Sequence, residues 1–234
     1  MSQVDVAAFI NQLRQVLPQA PPIDTHVLKV LHEKRDYEGL VRKIRSAMNL
    51  EARLLIGWVN SGGPTKMLNA PAWVQMPEAM PYYGTPEFKK LSIKLFVRKS
   101  FLEQSTYGQA AIVIAHELSH VVLDSIQHPL RREEKAVDLT AMLLGFSRLY
   151  DLNAHTEVIT EVTRKATRTE HRQLGYLTKG ELSAASKILN PFCWRLGARF
   201  SSGMAKNFIR YGGPQILIIV SILIYLKAKE IFGF

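Results

Sequence analysis

The segment AIVIAHELSHVVLDS, residues 111–125, decides how this sequence is interpreted, because it places ionisable side chains within an apolar helical stretch. His116 and His120 are four residues apart, so on an α-helix both imidazoles lie on one face, about one turn from each other. Burying them beside Glu117 costs hydration free energy unless a partner compensates. The segment therefore predicts either a metal site or an ordinary buried helix that carries a few polar residues.

The residues HELSH form the HExxH pattern that is typical of zinc hydrolases. In this pattern the two histidines bind the metal, and the glutamate accepts a proton from a water molecule beside it. Glu117 is rotated by about 100° from His116 on the helix, which suits that role. We therefore predict that His116 and His120 bind one Zn²⁺ ion and that Glu117 is the general base.

A catalytic zinc site needs a third protein ligand and an open fourth position. The sequence EEKAVD, residues 133–138, lies in the next predicted helix and offers Glu133 and Glu134. Glu134 is favoured, because Asp138 lies one turn further on and can hydrogen-bond the second ring nitrogen of a ligand histidine. Glu133 remains the alternative ligand.

HELSH followed by EEKAVD resembles the gluzincin metallopeptidases, most closely their compact, membrane-associated members. The resemblance covers about residues 91–144 and implies hydrolysis of bonds in a peptide or protein substrate. The residue roles that it implies are three zinc ligands, a general base and a supporting carboxylate: His116, His120 and Glu134; Glu117; and Asp138.

The resemblance also implies a catalytic residue that stabilises the oxyanion, since gluzincins often place a later His, Tyr or Arg there. His171 and Tyr176, within EHRQLGYLTKGE, are the candidates, and each fits equally well as a surface or packing residue. The strand before the active-site helix, within LSIKLFVRKSFL, is implied to pair with the substrate backbone.

The order of the predicted elements indicates an α+β fold, mostly helical with a small antiparallel or mixed sheet beside the HExxH helix. The resemblance implies that this domain is zincin-like. One metallopeptidase-like domain is predicted over 1–205, followed by a hydrophobic C-terminal helix. Its predicted parts are N-terminal helices in 1–50, strands in 51–104, the metal-site helices in 105–150, C-terminal helices in 151–205, and the tail in 206–234.

The tail contains an uncharged and almost wholly aliphatic run at 214–226. This run is shorter than the roughly 20 residues that span a bilayer, but Lys227 and Lys229 can snorkel and extend it. It predicts a membrane anchor, with a buried terminal helix or an oligomer contact as alternatives. Because the N-terminus does not resemble a secretory signal, the protein is expected in the cytoplasm, associated with a membrane.

The net charge of +10 indicates either a solvated basic surface or an anionic partner. The basic residues are scattered and form no nucleic-acid module, so a membrane surface is favoured over nucleic acid. The single Cys193 excludes an internal disulfide. Three functions remain: a zinc-dependent endopeptidase, a non-proteolytic zinc-binding regulatory or scaffold protein at a membrane surface, and a basic membrane adaptor with an accidental HExxH. The oligomeric state is not predicted.

Overall fold

The computed structural model describes residues 3–60, 70–163 and 166–190, with the backbone alone at 3–5 and 157–172. The predicted tail at 206–234 and Cys193 lie outside these residues. The elements in chain order are α1 (Gln3–Arg14), α2 (Thr25–Glu33), α3 (Tyr37–Ala47), β1 (Arg53–Val59), β2 (Ala72–Gln75), α4 (Pro86–Lys90), β3 (Ser92–Arg98), α5 (Lys99–Gln104), α6 (Tyr107–Ser125), α7 (Glu134–Ala141), α8 (Ser147–Asn153), β4 (His155–Thr163), β5 (Ala166–Gln173) and α9 (Lys179–Leu189).

A small mixed sheet accompanies the helices, which confirms the predicted α+β class. Its strand order is β1-β3-β2, with β1 parallel and β2 antiparallel to β3. The alternation predicted for β3 is present, since Ile93, Leu95 and Val97 are fully buried while Ser92 and Lys94 are exposed. The apolar face of the sheet therefore joins the core that the helices build.

Helix α6 carries the HExxH residues through the middle of this core. Thr106 caps it: its hydroxyl accepts a hydrogen bond from the Gln109 N–H at 3.2 Å, and the Gln109 side chain accepts one from the Thr106 N–H at 3.0 Å. The helix packs against β2 and against α2, α3, α7 and α8. Thirteen of its nineteen residues are buried, so polar groups on it need partners within the protein.

Strand β3 cannot pair with a substrate, contrary to the expectation drawn from the resemblance. Both of its edges are taken, one by β1 and the other by β2. Among the described strands of this sheet, the outer edge next to α6 belongs to β2.

The apolar spacing of LRREEKAVDLTAMLLGFSRLYD, residues 130–151, predicts one continuous helix, but the structure interrupts it. Between α7 and α8, residues Met142–Phe146 form a wider turn, and Gly145 has a φ of 102°. The linker between α1 and α2 packs against this turn, where the Ile23 N–H donates to the Gly145 carbonyl at 3.1 Å. A tertiary contact therefore sets the bend.

Among the predicted C-terminal helices, the polar segment AHTEVITEVTRKATRTEHRQLG, residues 154–175, is predicted as one helix. This prediction is wrong, because β4 and β5 pair there as an antiparallel hairpin. The segment is rich in threonine, valine and isoleucine at near-alternate positions, a composition that favours strands. Over the described ranges, the structure contains no helix that is long and apolar enough to cross a bilayer.

Candidate metal centre

Helices α6 and α7 bring three predicted ligands together. The rings of His116 and His120 lie 5.0 Å apart and nearly perpendicular on α6. Glu134, the first residue of α7, places its Oε2 3.2 Å from His116 Nε2 and 3.5 Å from His120 Nε2. One ligand atom from each residue lies within 4.8 Å of the other two. The predicted convergence of these residues is confirmed.

The spacing of these atoms fits a tetrahedral ion. With metal–ligand bonds of about 2.0–2.1 Å, two ligands at a tetrahedral angle lie about 3.3 Å apart, close to the distances from Glu134 Oε2 to the Nε2 atoms of His116 and His120. Glu134 Oε2 is also buried, and its contacts with the two imidazole nitrogens do not have the geometry of a hydrogen bond. A buried acceptor without a donor is rare in folded proteins, and a cation would satisfy it. Two imidazoles and one carboxylate could therefore hold a metal ion here.

Glu133, the alternative ligand, is not part of this group. It is the N-cap residue of α7, its side chain makes no capping hydrogen bond, and it is exposed. The first turn of α7 thus presents Glu134 to the histidines and its neighbour to solvent.

Asp138 makes the hydrogen bond that was predicted for it. Its Oδ1 lies 2.8 Å from His116 Nδ1, and the residue has no exposed surface. The same Oδ1 accepts the Tyr150 hydroxyl at 2.9 Å, and Oδ2 accepts the Tyr176 N–H at 2.5 Å. With Nδ1 occupied by Asp138, the other ring nitrogen of His116 is directed towards Glu134 and the potential ion.

Without a metal, the charges of the site compensate one another. Burial alone would lower the pKa of His116, but the hydrogen bond with Asp138 and the contact with Glu134 outweigh it and raise this pKa to about 10. The contact with His116 in turn lowers the pKa of Glu134. Burial, and then the charge of His116, lower the pKa of His120. A proton on His116 thus stands where a cation would place positive charge.

Glu117 lines a cleft of about 300 Å³ that His116 also borders. Burial raises the pKa of this carboxyl group to about 7, partly offset by the charge of His116 and by a hydrogen bond from the backbone N–H of Val74 on β2. A carboxyl group that titrates near neutral pH is suited to general acid–base catalysis.

The outer edge of β2 runs beside Glu117. The Arg98 N–H donates to the Pro71 carbonyl at 3.0 Å, which fixes the phase of the hydrogen bonds between β3 and β2. Since inward and outward groups alternate along an antiparallel strand, the N–H and C=O groups of Ala72 and Val74 point away from β3. Val74 uses its N–H for Glu117, and Ala72 lines the cleft.

The two predicted oxyanion residues have different outcomes. The ring of Tyr176 stacks on His116, with centroids 5.5 Å apart and planes inclined by 22°, and the residue is 51% exposed. Burial, followed by the nearby Glu134, raises the pKa of its phenol, so it remains a hydrogen-bond donor at neutral pH. His171 lies on β5 opposite Glu157; its side chain is outside the description, and its role stays a prediction.

Two residues of the site were not predicted, Tyr150 and Gly175. Tyr150 reaches Asp138 from α8 only because the chain bends at Gly145, which the helical periodicity of the sequence does not indicate. Gly175 has a φ of +86° and lies against Asp138. A glycine directly before a site candidate is a sequence signal for a close backbone approach, and it could have drawn attention to this loop.

The loop that carries Tyr176 is held in place from several sides. His155 Nε2 lies 2.9 Å from the Leu177 carbonyl, and the Leu174 N–H donates to the Ala154 carbonyl at 2.8 Å. Lys135, next to Glu134, forms an ion pair of 2.7 Å with Glu181 at the start of α9. These contacts connect the loop and α9 to the helices that supply the ligands.

Comparison with protein-family models, curated proteins and solved structures finds no match for this chain. The resemblance to gluzincins is therefore supported by one finding only, the group of His116, His120 and Glu134.

Proposed function

We propose that this protein is a zinc-dependent endopeptidase in which Glu117 activates water beside an ion bound by His116, His120 and Glu134. The observation that carries the proposal is the convergence of three possible ligand atoms within 4.8 Å of one another, with the Glu117 carboxyl group in the adjacent cleft. Two imidazoles and one carboxylate, with a fourth position left for water, form a common ligand set of catalytic zinc.

The chemistry follows from the roles of these residues. When bound, zinc supplies the Lewis acidity that polarises a water molecule and the scissile carbonyl. Glu117 removes one proton from the water as its oxygen bonds to the carbonyl carbon. The carbon–nitrogen bond then breaks, and Glu117 returns this proton to the leaving amine. In this proposal the phenol of Tyr176 donates a hydrogen bond to the oxyanion, and His171 is the second candidate for that role.

The cleft favours internal peptide bonds over chain termini. An extended substrate can add to the edge of β2 through the outward backbone groups of Ala72. The described residues that line the cleft include no lysine or arginine to bind a terminal carboxylate. The cleft also contains two acidic side chains, but each already has a partner: Glu117 accepts a hydrogen bond from the Val74 backbone, and Asp138 from His116. They are therefore not free to bind a terminal amine.

Metal content and cleavage together test the proposal. The full chain, purified in detergent, should contain one zinc per molecule and cleave internal bonds of a peptide library. E117Q should retain the zinc and lose cleavage by a factor of about 10² or more. E103Q, the same change at an exposed glutamate of α5, should behave as wild type. Zinc-loaded wild-type protein that cleaves nothing would favour a non-proteolytic zinc-binding regulatory or scaffold protein.

A second pair of variants tests the ligand assignment. E134Q should lose zinc on dialysis against a weak chelator, while E133Q, one residue earlier and exposed, should retain it. Equal zinc loss in both variants would contradict the assignment. If the purified wild-type protein contains no stoichiometric zinc, the remaining hypothesis is a basic membrane adaptor with an accidental HExxH.

We also propose that residues 206–234 attach the protein to the cytoplasmic face of a membrane, aided by its net charge of +10. Flotation with vesicles that contain anionic lipid tests this. The full chain should float, and a chain that ends at Tyr211 should not.

A further inference from the structure

We propose that Tyr150 is a positioning residue of the metal site, which acts through Asp138 to hold the His116 ring in its metal-binding orientation. The inference rests on the proposed metal site and does not require peptidase activity. The role of Tyr150 is therefore tested by metal binding, separately from the catalytic role of Glu117.

The contacts of Asp138 carry this inference. Tyr150 is 1% exposed, and its hydroxyl donates at 2.9 Å to the oxygen that His116 Nδ1 approaches at 2.8 Å. The Tyr176 N–H donates to the other carboxylate oxygen. Each donor comes from a different part of the chain: α6, α8, and the loop before α9. Three donors from three directions fix the plane of the carboxylate.

The fixed carboxylate in turn fixes the imidazole. His116 presents Nε2 to Glu134 Oε2 only while the hydrogen bond from its Nδ1 keeps the ring in its present plane. If the Tyr150 hydroxyl is removed, one acceptor site of a fully buried carboxylate loses its donor. Asp138 then rotates to a new partner or admits water, and His116 turns with it. The loss appears as weaker metal binding.

Tyr150 is not placed to bind substrate. Its side chain borders the cleft together with Glu117, but almost none of its surface is accessible and its hydroxyl is already bonded to Asp138. The structure thus assigns the hydroxyl to the support of the metal site.

The test compares two tyrosine-to-phenylalanine variants of the full chain. Y150F should raise the zinc dissociation constant about 10-fold, measured by chelator competition, as loss of an outer partner of a ligand histidine typically does. Y83F removes a hydroxyl that donates to the Asn49 carbonyl, away from the ligands, and should leave the constant unchanged. Thermal melts of the metal-free variants check that both are folded. Y150M, which also lacks the hydroxyl, replaces Y150F if that chain does not fold.

A double-mutant cycle shows whether Tyr150 acts through Asp138. Combined with D138A, Y150F should have almost no further effect on zinc affinity, because the shared acceptor is gone. Substitution with Co²⁺ adds a spectroscopic measurement: the visible absorption of the bound ion should change in Y150F and not in Y83F. If the D138A chain does not fold, the zinc affinities of Y150F and Y83F and their Co²⁺ spectra show whether Tyr150 supports the metal site.

Wild-type zinc affinity and an unchanged Co²⁺ spectrum in Y150F would overturn the inference and make Tyr150 a packing residue. A wild-type protein that binds no zinc would overturn it together with the proposed function. A wild-type protein that binds zinc without cleaving peptides would overturn the peptidase proposal alone. In that case a 10-fold weaker affinity of Y150F would still support the role of Tyr150.

Discussion

Gly175 adopts a φ of +86°, and a Cβ built on it would lie 2.8 Å from Asp138 Oδ2. The next residue, Tyr176, donates its N–H to that oxygen and stacks its ring on His116. Only a residue without a side chain lets the backbone approach the carboxylate this closely. The identity of one residue outside the ligand set therefore supports both the hydrogen bond and the stacked ring.

We predict that G175A weakens zinc binding by about 10-fold or more, because the loop must move away from Asp138 and release its oxygen. G84A is the matched control, since Gly84 also has a positive φ, +78°, but a Cβ there meets nothing within 4 Å. Both changes introduce backbone strain of roughly 1–2 kcal/mol. Chelator competition and thermal melts separate the two effects, and equal zinc affinity in both variants would count against a role for the loop.

The candidate ligand residues could be predicted because their spacing is local. His116 and His120 share a face through the geometry of one helix, and Glu134 and Asp138 repeat that spacing on the next. Tyr150 and Gly175 could not be found in this way. Their positions depend on a bend and a loop that are set by contacts between distant parts of the chain.

At the level of elements, the bend between α7 and α8 is a feature that apolar periodicity in the sequence does not predict. The sequence through Gly145 keeps the apolar spacing of a continuous helix, yet the chain turns there against the linker between α1 and α2. A Cβ on Gly145 would lie 2.4 Å from the carbonyl oxygen of Pro21. Strand β3 could be predicted from its alternating apolar residues, and helix α6 from its apolar residues and its Thr106 cap, because these signals are local. The bend needs a partner about 120 residues away.

We predict that G145A lowers the free energy of unfolding by roughly 2–4 kcal/mol, because it combines a positive φ of 102° with a backbone clash. Zinc affinity should fall as well, since the bend places Tyr150 against Asp138. G180A is the control: a Cβ at this position of α9 meets nothing within 4 Å, and alanine favours the helix by up to about 1 kcal/mol. Urea unfolding of the metal-free variants measures the free energy of unfolding, and chelator competition measures the zinc affinity. A G145A chain as stable as wild type would show that the bend is not required.

At the scale of the whole molecule, the candidate metal site lies where several elements of the core meet. It connects α6, α7, α8 and the loop before α9 through Asp138, His116 and Glu134. The general class of the fold could be predicted from the sequence, because it depends on many periodic segments. A ligand that binds the folded state and not the unfolded chain stabilises it by mass action, so zinc should stabilise the body of the protein.

The stability of the metal-free protein should therefore depend on pH through His116. Its pKa is about 10 in the folded state and 6.5 ordinarily, so between these values the folded protein holds a proton that the unfolded chain has released. The stabilisation is complete below pH 6.5 and is lost as the pH rises towards 10. Glu117, with its pKa raised to about 7 from 4.5, contributes in the same direction at lower pH.

We predict that the melting temperature in the presence of a chelator falls continuously from pH 6.5 to 9.5. The free energy of unfolding should fall by at most about 1.4 kcal/mol per pH unit. Zinc binds neutral imidazole and displaces the proton, so its stabilising effect should grow over the same range. H116Q should remove most of this dependence, whereas H26Q, at an exposed histidine of α2, should preserve it. Differential scanning fluorimetry at four pH values gives the slope of melting temperature against pH, once with chelator and once with zinc. If wild type and H116Q share one slope, the charge held between Asp138 and Glu134 does not stabilise the fold, and the stability that zinc adds must come from the ion alone.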